Sequence, residues 1–200
     1  MPVRLWRAYQ RALHAYPVMT ASISAGCLMS TGDILSQFLV QKRSLAEYDG
    51  KRTLRFAFFG TFLGGPVITV WYSTLARVFG NTKFGPLKMV LCDQLLFAPI
   101  FLPYFLSGME ILKGEGLEAI KSKLKHVYLD VLKTNYKVWP FVQTVNFTFV
   151  PAAYRVVVVN LVAVGWNTYL AWMSEKTHHH TEPADQGDLD LAHDQHEKST

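Results

Sequence analysis

Residues 56–76 read FAFFGTFLGGPVITVWYSTLA, an unbroken run without a charged side chain, bounded by Arg55 and Arg77. A bilayer's hydrocarbon core is about 30 Å thick, and about 20 apolar residues cross it as a helix. The run has that length. Outward from it, residues 17–32 are uncharged up to Asp33, and 34–41 are uncharged after it. Residues 94–109 lie between Asp93 and Glu110, and the runs 138–154 and 156–174 are separated by Arg155 alone. These runs predict spans at about 17–40, 55–79, 87–112 and 151–173. Barrel strands would alternate apolar and polar residues over about ten positions, and these runs do not. The predicted fold is all-α: a polytopic membrane helix bundle of about four spanning helices plus amphipathic interfacial helices.

Composition points the same way. Half of the 200 residues are hydrophobic and 18% are charged, against about 25% charged in an ordinary soluble domain. Cys27 and Cys92 each lie in an apolar stretch, so neither a disulfide framework nor a zinc-ligand set is expected. The net charge of +5 hides an asymmetry. From Ser174 to Thr200 seven acids face Lys176 and Lys198, a balance of −5 that leaves +10 on residues 1–173. Residues 1–173 are therefore predicted to form a single membrane helix-bundle domain, and 174–200 a disordered acidic, His-rich tail. The basic residues sit between apolar stretches, which favours lipid headgroups over nucleic acid as their partner.

The connections are short and basic. Loop 41–54 carries Lys42, Arg43, Lys51 and Arg52, and turn residues Gly80, Asn81, Gly85 and Pro86 close the next one. Between 117 and 133, Leu117, Ile120, Leu124, Val127, Val131 and Leu132 recur at helical spacing among lysines. That pattern predicts a basic amphipathic helix on a membrane surface or against the bundle end. The opening MPVRLWRAYQRALHAY puts Arg4, Arg7 and Arg11 on one face and no acid before Asp33. It reads as a mitochondrial targeting segment or as a retained interfacial helix. Pro140 and Pro151 predict a short half-helix over about 140–149 ahead of the last span, with two full crossings as the alternative. Four spans place both termini on one side, and the Lys/Arg count does not choose which side.

Ionisable residues within spans are candidates for function. Asp33, Asp93 and Arg155 are the three. Ser22, Gly26, Ser30, Asp33 and Gln37 form one stripe that either lines a water-filled path or packs against a helix. Gly60 and Gly64 make a GxxxG pattern, followed by Gly65 and Pro66, and are assigned to helix packing. Gln94 beside Asp93, and Gln143 and Asn146 with Thr144 and Thr148, complete the polar set. Arg155 is expected to pair with Asp93 or Asp33. No phosphate-binding loop, nucleophile elbow or zincin motif is present, so no enzyme chemistry, metal or cofactor is expected. The sequon at Asn146 lies in an apolar segment and is expected to be unused.

Several segments resemble the Mpv-seventeen/peroxisomal-membrane-protein family of small four-span proteins: LWRAYQRALHAYP at the start, LMSTGDILSQ at 28–37, GGPVITVWY at 64–72, DQLLFAP at 93–99, NYKVWPFVQTVNFTFVPAAYR at 135–155 and WNTYLAW at 166–172. The resemblance covers about residues 4–173. It implies a non-selective or weakly selective channel for small solutes in the mitochondrial inner membrane, with the peroxisomal membrane as the alternative. It also implies roles in membrane potential, reactive-oxygen handling and mitochondrial DNA maintenance. The rival reading is a non-conducting membrane scaffold. Expected partners are the lipid bilayer, small solutes and, as an open alternative, further copies in a homo-oligomer, without direct contact to nucleic acid.

Overall fold

A computed structural model describes residues 2–80, 82–149 and 152–175. Among them the chain is helical, with no strand. The helices are α1 (Pro2–Ala15), α2 (Pro17–Val40), α3 (Gly50–Phe79), α4 (Gly85–Lys113), α5 (117–149) and α6 (Ala152–Glu175). Helices α2, α3 and α4 are long and apolar enough to cross a membrane. Each of α2 to α5 contains one wider turn with i→i+5 hydrogen bonding, at Ser36–Val40, Phe59–Gly64, Asp93–Phe97 and Leu124–Tyr128. A wide turn brings neighbouring residues onto one face. Ser36 with Gln37, Phe59 with Gly60, and Asp93 with Gln94 are buried side by side there.

Helices α2 to α6 run up and down in sequence order. The connections 41–49 and 114–116 lie at one end, here the loop end; the turn 80–84 lies at the other, the turn end. Helix α2 therefore starts at the turn end and α6 finishes at the loop end. The region 117–149 is one continuous rod, so the described bundle has five long helices, of which α2, α3 and α4 are apolar enough to cross a membrane. The expected half-helix over 140–149 is only the last part of that rod. Pro140 sits inside it without ending it, as prolines do where neighbouring helices support the backbone. The expected amphipathic helix over 117–133 is its first part, and Val127 and Val131 pack into the core, in keeping with the alternative of a helix against the bundle.

The core is built from Phe56 and Phe59 of α3, Leu102, Phe105, Leu106 and Met109 of α4, Val127 and Val131 of α5, and Leu170, Ala171 and Met173 of α6. Phe59 and Phe105 meet edge to face at 5.2 Å, a favoured aromatic geometry. Pro103 lies within α4 and has no N–H for the Pro99 carbonyl one turn earlier. The Tyr128 hydroxyl donates to that carbonyl at 3.1 Å, so the proline ties α5 to α4 without leaving an orphaned acceptor.

Close contact between α2 and α3 rests on glycine. A methyl group at Gly60 would lie 2.8 Å from Gly26 Cα, and one at Gly65 would lie 2.6 Å from Ser22 Cα. Gly64 faces Phe59 and Phe101 instead, with a methyl position 3.0 Å from the Phe59 ring. Pro66 follows in the first turn after the wide turn and is half-buried. Gly32 serves the contact with α6, where a methyl would meet Asn167 at 2.5 Å.

Candidate functional site

Two buried polar clusters stand at different depths. The first is at the loop end and begins with Asp33, which is fully buried. Asp33 Oδ1 lies 2.6 Å from Arg52 Nε, and its Oδ2 accepts from Thr53 Oγ1 at 2.6 Å and Gln37 Nε2 at 2.9 Å. Arg52 shares a helix face with Phe56 and Phe59 at steps of four and three, so its side chain enters the bundle. Its other nitrogens donate to Gln41 Oε1 at 3.0 Å, Ser36 Oγ at 3.4 Å and the Ala171 carbonyl at 3.3 Å. One guanidinium thus joins α2, α3 and α6. Gln37 holds the connection itself: Asp49 N–H donates to its Oε1 at 2.9 Å, and its Nε2 donates to the Asp49 carbonyl at 3.1 Å. Asp49 in turn caps α3 by accepting from Arg52 N–H at 2.9 Å.

A second set of charges continues this layer. Lys113 Nζ lies 3.2 Å from Glu110 Oε1 and 2.9 Å from Glu175 Oε1, and Lys123 Nζ lies 3.5 Å from Glu110 Oε1. Three carboxylates (Asp33, Glu110, Glu175) therefore balance three cations (Arg52, Lys113, Lys123) across five helices. Burial alone would raise the Glu175 carboxyl; the Lys113 ammonium, with Arg52 and Lys123 behind it, outweighs burial and holds it below the ordinary carboxylate range. Burial pushes the Lys123 ammonium below the ordinary lysine range, and Lys113 adds to that against the pull of Glu110 and Glu175.

The second cluster lies within the apolar helices, toward the turn end. Asp93 and Gln94 are both buried. Trp71 Nε1 donates to Asp93 Oδ1 at 3.1 Å, and Gln94 Nε2 donates to Asp93 Oδ2 at 2.9 Å. Trp71 is held for this by stacking on Phe97 at 5.0 Å. Asn135 Nδ2 donates to Gln94 Oε1 at 2.7 Å, which extends the cluster from α4 to α5. Farther along α5, Gln143 is buried and its Oε1 has no hydrogen-bond partner. Among the described residues no cation pairs with Asp93.

The remaining stripe residues are in helix contact. Ser22 and Gly26 face α3, and Ser30 donates back to the Gly26 carbonyl at 2.8 Å. Asp33 pairs with Arg52. The side chains of Asn146 and Arg155, and the tail from residue 176, lie outside the described residues. Arg52, Glu110, Lys113, Lys123, Trp71 and Asn135 were not among the expected site residues. Helix phase could have found three of them: Arg52 is in step with Phe56, Glu110 with Leu106, and Lys123 with Ile120 and Val127.

Comparison with known proteins finds relatives over most of the chain. A profile of the Mpv17 / PMP22 family matches residues 110–171. The chain is 47% identical to the mitochondrial inner membrane protein Mpv17 of Rattus norvegicus, over 86% of this chain and 98% of the rat protein. It is 43% identical to the protein of the same name from Danio rerio over 86% of this chain and 98% of that one. It is 40% identical to protein SYM1 of Gibberella zeae over 85% and 97%. None of these names is that of an enzyme. No solved structure matches. With near-complete coverage at this identity, the chain is a mitochondrial inner-membrane protein and belongs to the Mpv17 / PMP22 family.

Proposed function

We propose that this protein is a channel for small solutes in the mitochondrial inner membrane, weakly selective or non-selective and without enzyme chemistry. By modulating membrane potential it would affect reactive-oxygen handling and the maintenance of mitochondrial DNA. The seam between α4 and α5 carries the reading. Asp93, Gln94 and Asn135 form a buried hydrogen-bonded set inside apolar helices, and Gln143 adds an unpartnered carbonyl about 12 Å farther along α5. Polar groups at that depth are costly, and a conducting path is a common reason to keep them. The seam contains carboxylate and amide groups rather than a layer of ion pairs, which suits weak discrimination among small polar solutes.

A specific observation favours the rival reading, a non-conducting scaffold. The Ser22–Gly26 side of α2 is taken up by contact with α3, so that stripe is not free to line a path. Conductance of the purified protein in planar bilayers separates the two. Stepwise currents that pass uncharged solutes up to a size limit are expected. A protein that inserts, is folded and yields no current at any potential would leave the scaffold.

A further inference from the structure

Helix α5 returns beside α4, and three contacts set its depth. Lys123 Nζ lies 3.5 Å from Glu110 Oε1, Tyr128 Oη donates to the Pro99 carbonyl at 3.1 Å, and Asn135 Nδ2 donates to Gln94 Oε1 at 2.7 Å. Lys125, Leu129, Asp130 and Lys133 therefore stand level with the uncharged run 94–109 of α4, and Lys137 follows just past Asn135. On α4 the outward residues at that depth, Leu95, Leu96 and Ile100, are exposed and apolar, as lipid contact requires.

The outward face of α5 is different. Lys123, Val127, Val131 and Asn135 are buried at steps of four. Two positions before each stand Lys121, Lys125, Leu129 and Lys133, and Lys137 continues the step; all five are exposed. Two positions are about 200° of helix, so these five lie on the side of α5 turned away from the bundle. Tyr136 is exposed as well. Two acids of α5 meet this stripe: Glu118 lies 2.8 Å from Lys121, and Asp130 lies 3.9 Å from Lys133. Lys125 and Lys137 have no ion pair among the described residues, so the face is net positive.

Lipid is a poor cover for this face. Charge at hydrocarbon depth is costly unless it meets water or a counter-charge. Lysines escape to the headgroups from the ends of a span, whereas Lys125, Asp130 and Lys133 stand along the uncharged run. A second copy inserted the same way carries the same face at the same depth. Its other described faces there are apolar, with Ile23 on α2, Phe62 on α3 and Leu96 on α4 exposed. Turning α5 toward α5 withdraws the charges from lipid without setting them against apolar side chains. Like charges oppose direct packing, so water fills the space between the copies.

We propose that copies of this chain assemble with their α5 faces inward, around a shared water-filled space at membrane depth that is lined by Lys125, Leu129, Lys133, Tyr136 and Lys137. Closed cyclic symmetry is the usual form of such an assembly. A space walled by one sign of charge concentrates ions of the other sign, so small anions are its solutes. The face is on the opposite side of α5 from Asn135 and its bond to Gln94, and the inference does not rest on that seam conducting.

Thiol labelling of the full-length protein in proteoliposomes tests this, with reagent on both sides. In a background carrying Cys27→Ala and Cys92→Ala, single cysteines are placed on α5 by Leu129→Cys or Tyr136→Cys. At the same depth on α4 they are placed by Leu96→Cys or Ile100→Cys. The two α5 variants should react with a negatively charged methanethiosulfonate at least about tenfold faster than the two α4 variants, because the reacting thiolate forms in water and not in lipid. Relative to a free thiol in solution, they should also favour that reagent over a positively charged one. Adding Lys133→Gln to Leu129→Cys should reduce the preference. A bifunctional thiol reagent should join Leu129→Cys copies to one another and leave Ile100→Cys copies single. Equal rates on α5 and α4 would overturn the proposal. Fast labelling of α5 without cross-linked copies would do so too, since water would then reach the face without a second copy. So would labelling that begins only once residues 176–200 are deleted, since the chain's own tail would then be the cover.

Discussion

Arg52 Nε lies 2.6 Å from Asp33 Oδ1, between two helices joined by a nine-residue connection (41–49), with both side chains at 1% exposure or less. Neither residue is independent of the other. A buried ion pair contributes little net stability over an apolar replacement, but removing one partner strands the other charge. The surrounding Thr53, Gln37, Gln41 and Ser36 supply the remaining hydrogen bonds, which is the condition under which such a pair is tolerated.

Arg52→Met should therefore destabilise the protein strongly, by about 3–5 kcal/mol. Asp33→Leu should cost a similar amount. The double variant should lose less than the sum, because no charge is left unpaired. Thermal unfolding in detergent of the two single variants and the double variant measures the coupling. Additive losses would show that each residue acts through its own hydrogen bonds and not through the pair.

The glycine contacts predict a graded series. Gly60→Ala places a methyl against the backbone of Gly26, which cannot move without shifting α2. It should cost about 1–3 kcal/mol, the usual range for overpacking. Gly64→Ala meets a Phe59 ring edge at 3.0 Å, and a ring can tilt, so the loss should be smaller. Gly116→Ala has open space around it and should be neutral or nearly so. Steady-state abundance and unfolding midpoint should both follow that order. A Gly60→Ala protein as stable as wild type would show that α2 and α3 do not touch there.

The loop-end charges predict a pH dependence. Glu175 titrates below its ordinary value of 4.5 in the folded protein because of Lys113, Arg52 and Lys123. A carboxyl with a lowered folded value contributes stability that is complete above the unfolded value and fades as pH falls through the folded one. Glu175→Gln should thus lower stability at pH 7 by roughly 1.5–3 kcal/mol, the range for a hydrogen bond to a charged group. The gap between variant and wild type should close on acidification below pH 4.5. Midpoints measured from pH 7 to pH 3 test it, and a gap that widens in acid would contradict the assignment.

The rods were legible because uncharged runs and helical periodicity depend on local sequence alone. Residues 56–76 and 94–109 mark α3 and α4 unaided. Pro140 misled for a physical reason: a proline's effect depends on whether neighbours support the helix, and the neighbours of α5 are far away in sequence. Asp33 was legible as a buried acid, but its partner was not. Arg52 sits in the sequence among loop cations, because α3 starts at Gly50, before the uncharged run begins. The wide turns were illegible from spacing, since an added residue per turn leaves no composition signal, although they bring Asp93 and Gln94 inside together.

These partners separate the two acids as conduction candidates. In the sequence Asp33 continues the Ser22–Gly26–Ser30 stripe, one reading of which is a path lining. Its carboxylate is committed to Arg52, so Asp33→Asn should reduce the amount of folded protein and leave the ion preference of whatever remains unchanged. Asp93 meets uncharged groups among the described residues, the donors Trp71 and Gln94 with the Tyr72 hydroxyl beside them, and an amide at that position can still accept from Trp71. Asp93→Asn should fold, and it should shift the reversal potential in a salt gradient away from cation preference, because the seam loses its carboxylate. The two variants measured beside wild type at equal protein per membrane area decide the matter. A reversal potential that moves with Asp33→Asn and not with Asp93→Asn would take the path away from the α4–α5 seam and return it to α2.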